Sequence, residues 1–284
     1  MKHMKGLTSF AFSVAVLLTG NVLADDSLSE ATYSLSENGI TQTLTPSASH
    51  GSVINIDGTD VYVGITAWSD TGNLSSSSSE DTKLDQGDIK GWSEYGNVGY
   101  GILNDDYSWG GDSHSADNYN DDGKDDFDMF LLSFSEDVTL QGSSFSWVNG
   151  NNGTKEVTVA GLSDINSFSD SVESTWASVS SSIVAGTLGH FGIGSRDSST
   201  NLYESKFTTL TNSAKYWLVG AYNTVFDDSS STYHGVGFKL SSLDLAIQKS
   251  TTPPPAPTPV SEPGALALMS IGLGLLAYRR KRRV

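Results

Sequence analysis

FDMFLLSF, residues 127–134, decides the class of this chain. Apolar side chains occupy both parities of the run, so as a strand it is apolar on both faces and belongs at the buried centre of a sheet. Residues 138–140 and 144–148 read as further strands. Asn149-Gly150 and Asn152-Gly153 mark a turn, and residues 156–160 continue as the next strand. Upstream, Asp57-Gly58 separates two β-prone runs as a type I′ hairpin turn would. Within residues 53–68, Val61, Val63, Ile65 and Ala67 alternate with Tyr62, Gly64, Thr66 and Trp68, the period-2 pattern of a strand. Residues 188–193, 214–222 and 235–245 are later strands. The Gly- and aromatic-rich residues 92–103 are expected to cross an edge of the sheet. Residues 25–50 are polar and weakly periodic, with Asn38-Gly39 as a turn signal, and residues 75–79 are a serine tract.

One stretch departs from this rhythm. Between 165 and 183, apolar residues fall at 165, 168, 172, 176, 179 and 183, which is helical spacing and predicts one Ser-rich amphipathic helix. The expected fold is mainly β: a single antiparallel β-sandwich of jelly-roll type over residues 25–249, with that one helix.

Composition narrows the function. The chain has no cysteine, which removes disulfides and thiolate metal sites. All 33 acids lie between 25 and 262, where only 9 bases accompany them, a net charge of −24 for that segment. Such a surface repels nucleic acid and anionic lipid and attracts divalent cations.

Both ends carry address signals. Lys2 and Lys5 precede an apolar run, residues 7–18, and a small residue, Ala24. This is the layout of a secretory signal peptide over residues 1–24, cleaved after Ala24 and handled by the Sec export machinery. At the far end, six of the seven prolines lie between 253 and 263, so residues 250–260 read as a polyproline-II stalk. Residues 261–284 follow in three parts: Ser261-Glu262-Pro263, an uncharged run over 265–278, and the basic cluster Arg279, Arg280, Lys281, Arg282, Arg283. As a helix the uncharged run would cover about 21 Å of a hydrocarbon core of about 30 Å. It spans only if its flanks snorkel or the bilayer thins. The basic cluster favours a cytoplasmic C-terminus, by the positive-inside rule. A plain C-terminal tail anchor accounts for the same length and charge.

The order of these three parts resembles the PEP-CTERM sorting signal of Gram-negative bacteria, a Pro-Glu-Pro motif, a transmembrane stretch and an Arg-rich end. Here Ser261 stands where that motif has its first proline. The resemblance implies an exosortase as partner, transient inner-membrane anchoring by the C-terminal helix, removal of the tail at or near the motif, and a final place on the cell surface, in the outer envelope or in the extracellular matrix. Shorter matches extend it. Trp92, Tyr100-Gly101-Ile102, His114-Ser115-Ala116-Asp117-Asn118, Phe130–Phe134, Tyr216–Ala221 and Phe238-Lys239-Leu240 look like a family of exosortase-dependent surface proteins, whose β-rich domain sits above the sorting tail. That resemblance supplies no catalytic residues.

Three kinds of chemistry remain to be weighed. Asn118, Asn120, Asp122 and Asp126 stand at positions 1, 3, 5 and 9 of a calcium-type loop, with Gly123 at the sharp turn. Asn at position 1 and Met129 at position 12 depart from an EF-hand, and Asp117 compensates; the plain alternative is a solvated acidic loop. Trp92 and Trp109, in Gly/Asp-rich surroundings, are candidates for stacking on exopolysaccharide, whereas Trp68, Trp147 and Trp217 sit in strand patterns and are expected in the core. For catalysis neither H-E-x-x-H nor G-x-S-x-G is present, and the five histidines show no ligand spacing. The expectation is a non-enzymatic surface or biofilm-matrix protein. A carbohydrate-binding module is the alternative, and a glycoside hydrolase with two paired carboxylates stays open behind it.

Overall fold

A computed structural model describes residues 28–72, 83–104, 114–119, 126–150, 155–169, 172–226, 235–248 and 263–282. The chain divides into a compact unit, Ser27–Lys249, and a second unit made of Met1–Asp26 and Ser250–Val284.

The compact unit is mainly β and antiparallel. Its strands are β1 (Leu28–Ser34), β2 (Ser52–Ile56), β3 (Thr59–Gly72), β4 (Lys83–Glu94), β5 (Asn97–Leu103), β6 (Ala116–Asp117), β7 (Met129–Gly150), β8 (Glu156–Leu162), β9 (Gly189–Gly192), β10 (Tyr203–Lys206), β11 (Ala214–Ala221) and β12 (Val236–Gln248). The 22-residue β7 organises them. Its first part lies between β3 and β11, with Phe130 opposite Ala67 on one side and Val219 on the other. Its second part pairs with β12 from Thr139↔Ala246 to Gly150↔Val236, and with β10. Because β4 and β7 each have partners in both regions, the hydrogen-bonded path β12–β5–β4–β3–β7 returns to β12.

The 127–134 run is buried on both faces, as its two apolar parities require. Phe130, Leu132 and Phe134 join Val63, Ile65, Trp217, Phe238 and Leu240 in the main core. Phe127, Met129 and Leu131 join Trp68, Leu218, Phe168 and Trp176 in a second cluster on the opposite face. The three short strands expected across 127–148 are one strand that changes partners. Its polar interruptions, Ser135–Asp137 and Gln141–Ser143, fall where the register shifts from one set of neighbours to the other.

The second cluster is covered by residues 163–183, and here the expected helix is corrected. Among the described residues of this stretch only Trp176–Val179 (α2) is α-helical, extended by a 3-10 turn at Ser180–Ser182. Serine-rich sequence offers the backbone competing side-chain bonds, and these end the helix almost as it starts. Thr175 and Ser178 cap one another reciprocally at its N-terminus. Ser178, Ser180 and Ser181 return their hydroxyls to carbonyls three residues earlier. The helical spacing of apolar residues records contact with a sheet face, not a continuous helix.

Two hairpin turns follow from backbone chemistry. Asp57 and Gly58 have φ of 48° and 87°, both positive as type I′ requires. Tyr95 and Gly96, at 49° and 87°, repeat the device between β4 and β5, so residues 92–103 contribute to a hairpin. β1, in the stretch read as weakly periodic, is an edge strand on β12. A single turn, α1 (Leu35–Asn38), follows it.

In the other unit, α3 (Pro263–Lys281) is helical, with Arg279, Arg280 and Lys281 in its last turn, where cations complement the helix dipole. Among the described residues no helix is long and apolar enough to cross a membrane. The expected membrane stretch, residues 265–278, lies within this helix. Its uncharged stretch is interrupted by arginines before it reaches bilayer length.

Candidate functional site

The sequence points to an acidic centre around residues 117–126, and the structure rearranges its membership. Asn118 is fully buried and committed to the backbone of neighbouring strands. Its Nδ2 donates to the Tyr222 carbonyl at 2.8 Å, and its Oδ1 accepts from the Val236 N–H at 2.8 Å. Asp117 lies in β6 against β12. Its Oδ2 accepts from the Ser115 hydroxyl at 2.6 Å, and its Oδ1 from the Tyr119 N–H at 3.3 Å. Asp128, also buried, accepts from Asn104 Nδ2 at 2.7 Å and from the Asp117 N–H at 3.4 Å. Of these side chains, Asp128 fastens the start of β7 to β6, Asn118 ties the end of β6 to Tyr222 and to β12, and Asp117 bonds its own neighbours in sequence. Asn120 and Asp122 lie outside the described residues.

Asp126 goes elsewhere. Its carboxyl meets that of Asp70, near the end of β3, a residue that the motif did not include. Asp70 is 4 % exposed, and its Oδ1 accepts from the Phe127 N–H at 2.7 Å. The Asp126 carboxyl is held by the N–H groups of Phe127 and Asp70. The other oxygen of each group, Asp70 Oδ2 and Asp126 Oδ1, is buried and receives no donor. Burial, reinforced by the neighbouring acid, pushes the Asp70 carboxyl well above the usual carboxylate range, and burial raises that of Asp126. Among the described residues, no cationic side chain acts on either carboxyl. The sequence carries one signal for Asp70. On a strand buried on both faces it shares the parity of Trp68 and Thr66, where an unpaired charge has no ordinary place.

Among the described residues, no group of three or more His, Cys, Asp or Glu side chains is placed to hold a metal ion. The Asp70–Asp126 pair offers two carboxylates, so a bound cation would complete its shell with main-chain oxygens or water. As a hydrolase pair it is unsuited. Glycoside hydrolysis needs carboxyls about 5–10 Å apart with the bond between them. These two are in hydrogen-bonding reach, and their facing oxygens are closed to solvent.

The aromatic candidates divide. Trp92 is 54 % exposed on β4, with the His114 ring 6.5 Å away. Tyr95, at the β4–β5 tip, is exposed under the Arg196 guanidinium, 4.4 Å from its ring centre. Trp68 and Trp217 are core residues as expected. Trp147 is half-buried, with the Lys239 ammonium over its ring at 4.4 Å. Trp109 lies outside the described residues, as do Ala24, Ser261, Glu262 and Arg283. Pro263 opens α3, and Arg279, Arg280, Lys281 and Arg282 are exposed at its far end. Compared with protein-family models, with curated proteins and with solved structures, the chain matches none.

Proposed function

We propose that this chain is an exported, non-enzymatic surface or biofilm-matrix protein whose C-terminal segment is processed by an exosortase. The observation that carries the reading is the order of parts after residue 249: a proline stalk, Ser261-Glu262-Pro263, the uncharged run and five consecutive bases. The helix that begins at Pro263 and ends among arginines supports it, since a basic stop after an apolar helical segment favours a cytoplasmic C-terminus. On this reading the β unit is a jelly-roll-type sandwich carried outward as cargo. The signal peptide brings it to Sec, and α3 anchors it only transiently, with flanking arginines snorkelling to make up its length. Intact mass spectrometry of the protein recovered from its native surface, with and without the exosortase, tests this. A mass beginning after Ala24 and ending near Glu262 only when the enzyme is present is the expected result. A mass running through Val284 in both strains sinks it.

Carbohydrate binding is the second reading, favoured by the exposure of Trp92 and Tyr95 on one hairpin. Trp92 offers an exposed ring to a flat sugar face, Tyr95 beside it carries the Arg196 guanidinium on one face, and neither is needed by either core cluster. Retention on exopolysaccharide that survives in Trp92→Ala would remove this reading.

A further inference from the structure

Where β3 ends beside the start of β7, two neighbouring buried carboxyls each keep one oxygen that receives no donor. We propose that Asp70 and Asp126 bind a divalent cation of the calcium class. Three observations converge. First, Asp70 is almost wholly buried and its Oδ2 receives no donor, and on the Asp126 carboxyl that meets it Oδ1 is equally without one. Second, the opposite side of each carboxyl accepts from main-chain N–H groups, so the backbone fixes both carboxyls in place while burial works against their charge. For both to ionise, a positive charge is needed between them, and among the described residues no lysine or arginine supplies it. Third, Asp126 closes the stretch Asn118–Asp126, whose residue types follow a calcium loop, so an oxygen-rich sequence leads into the pair.

Charge and hardness select the ion. Two carboxylates match a dication, and all-oxygen ligation excludes soft metals. Calcium–oxygen distances of about 2.3–2.6 Å set adjacent ligand oxygens about 3–3.5 Å apart, so two carboxyls in hydrogen-bonding reach need part only slightly to admit the ion. Asp126 is the partner that yields. It precedes β7 and is only partly buried as a residue, whereas Asp70 is fixed within β3. With so few protein charges the site belongs in the range of extracellular modules, a Kd of about 0.1–1 mM. The site does not depend on whether the tail is processed.

The test uses the full chain, EDTA-treated, with calcium chloride as the probe at pH 7.5. At 5 mM calcium the folding constant should rise about tenfold, which for a domain of this size lifts the melting temperature by roughly 3–6 °C. Asp70→Asn and Asp126→Asn, each nearly isosteric, should both abolish the rise. A second measurement leaves the carboxyls untouched. Terbium emission excited through tryptophan should appear, be displaced by calcium, and fall by about half or more in Trp68→Phe, since Trp68 lies two residues from Asp70 on the same strand face. Three outcomes overturn the proposal. A calcium response retained in both carboxyl variants puts the ion elsewhere. Terbium emission that is absent, or indifferent to Trp68→Phe, does the same. No calcium response, together with Asp70→Asn stabilising the chain at pH 7.5, makes the pair a shared-proton contact only.

Discussion

At the scale of single residues, polar side chains in this protein are either closed into the backbone or left facing one another, and the difference is measurable. Asn118 is of the first kind. Replacing it with alanine removes two buried bonds, one to the Tyr222 carbonyl and one from the Val236 N–H, so Asn118→Ala should cost about 2–4 kcal/mol in urea unfolding. The loss should be equal with and without calcium, because the side chain acts on β11 and β12 and not on an ion. Asp197 is of the first kind too, but at the surface. It accepts from the Ser199 hydroxyl and from the N–H groups of Ser199 and Thr200, and the Ser199 hydroxyl bond leads in drawing its pKa down to about 2. A folded-state pKa below the unfolded value means that the stabilisation is present at neutral pH and disappears as pH falls from about 4 through about 2. An NMR titration of the Asp197 carboxyl should find its midpoint near 2. Ser199→Ala should move it up toward the ordinary range.

At the scale of elements, the serine-rich cover over residues 163–183 is held by side chains. Trp176 is its anchor. It is fully buried, meets Phe226 edge-on at 6.0 Å, and donates its indole N–H to the Phe127 carbonyl at 3.1 Å. Trp176→Ala should cost about 3–5 kcal/mol. Trp176→Phe keeps most of the apolar area but strands the Phe127 carbonyl, and should cost about 1–3 kcal/mol. Hydrogen exchange should quicken first in residues 163–183 and last where β12 pairs with β7. This element was misread in the sequence for a physical reason. Contact with a sheet face spaces apolar residues much as a helix does, and periodicity alone does not report the backbone bonds that serine hydroxyls intercept. The central run 127–134 was legible because a strand covered on two sides has no polar parity to confuse it. The unity of β7 was not, since a strand that changes partners breaks its own alternation at Ser135–Asp137 and again at Gln141–Ser143. The edge strand β1 escaped notice because only Tyr33 along it is fully buried.

At the scale of the whole molecule, the acids visible in the sequence implied cation attraction without naming a site. Asp126 was within reach of motif reading. Asp70 was not, because 56 positions separate it from its partner and only the β3–β7 pairing brings the two together. What remains is a general property of the segment 25–262, its net charge of −24. Ion pairs such as Lys83–Asp85 at 3.2 Å and Lys90–Asp88 at 3.0 Å join neighbours two apart on one strand, so they do little to tie strands together. Long-range repulsion among acids therefore opposes the compact state, and salt should relieve it. In EDTA, raising sodium chloride from 20 to 500 mM should lift the melting temperature by roughly 2–4 °C, the equivalent of about 1 kcal/mol for a domain of this size. The rise should be gradual and indifferent to Asp70→Asn, in contrast to the saturable response expected of calcium. A melting temperature that stays level or drops would mean that the acids are neutralised locally, and that the charge excess has no part in the stability of the fold.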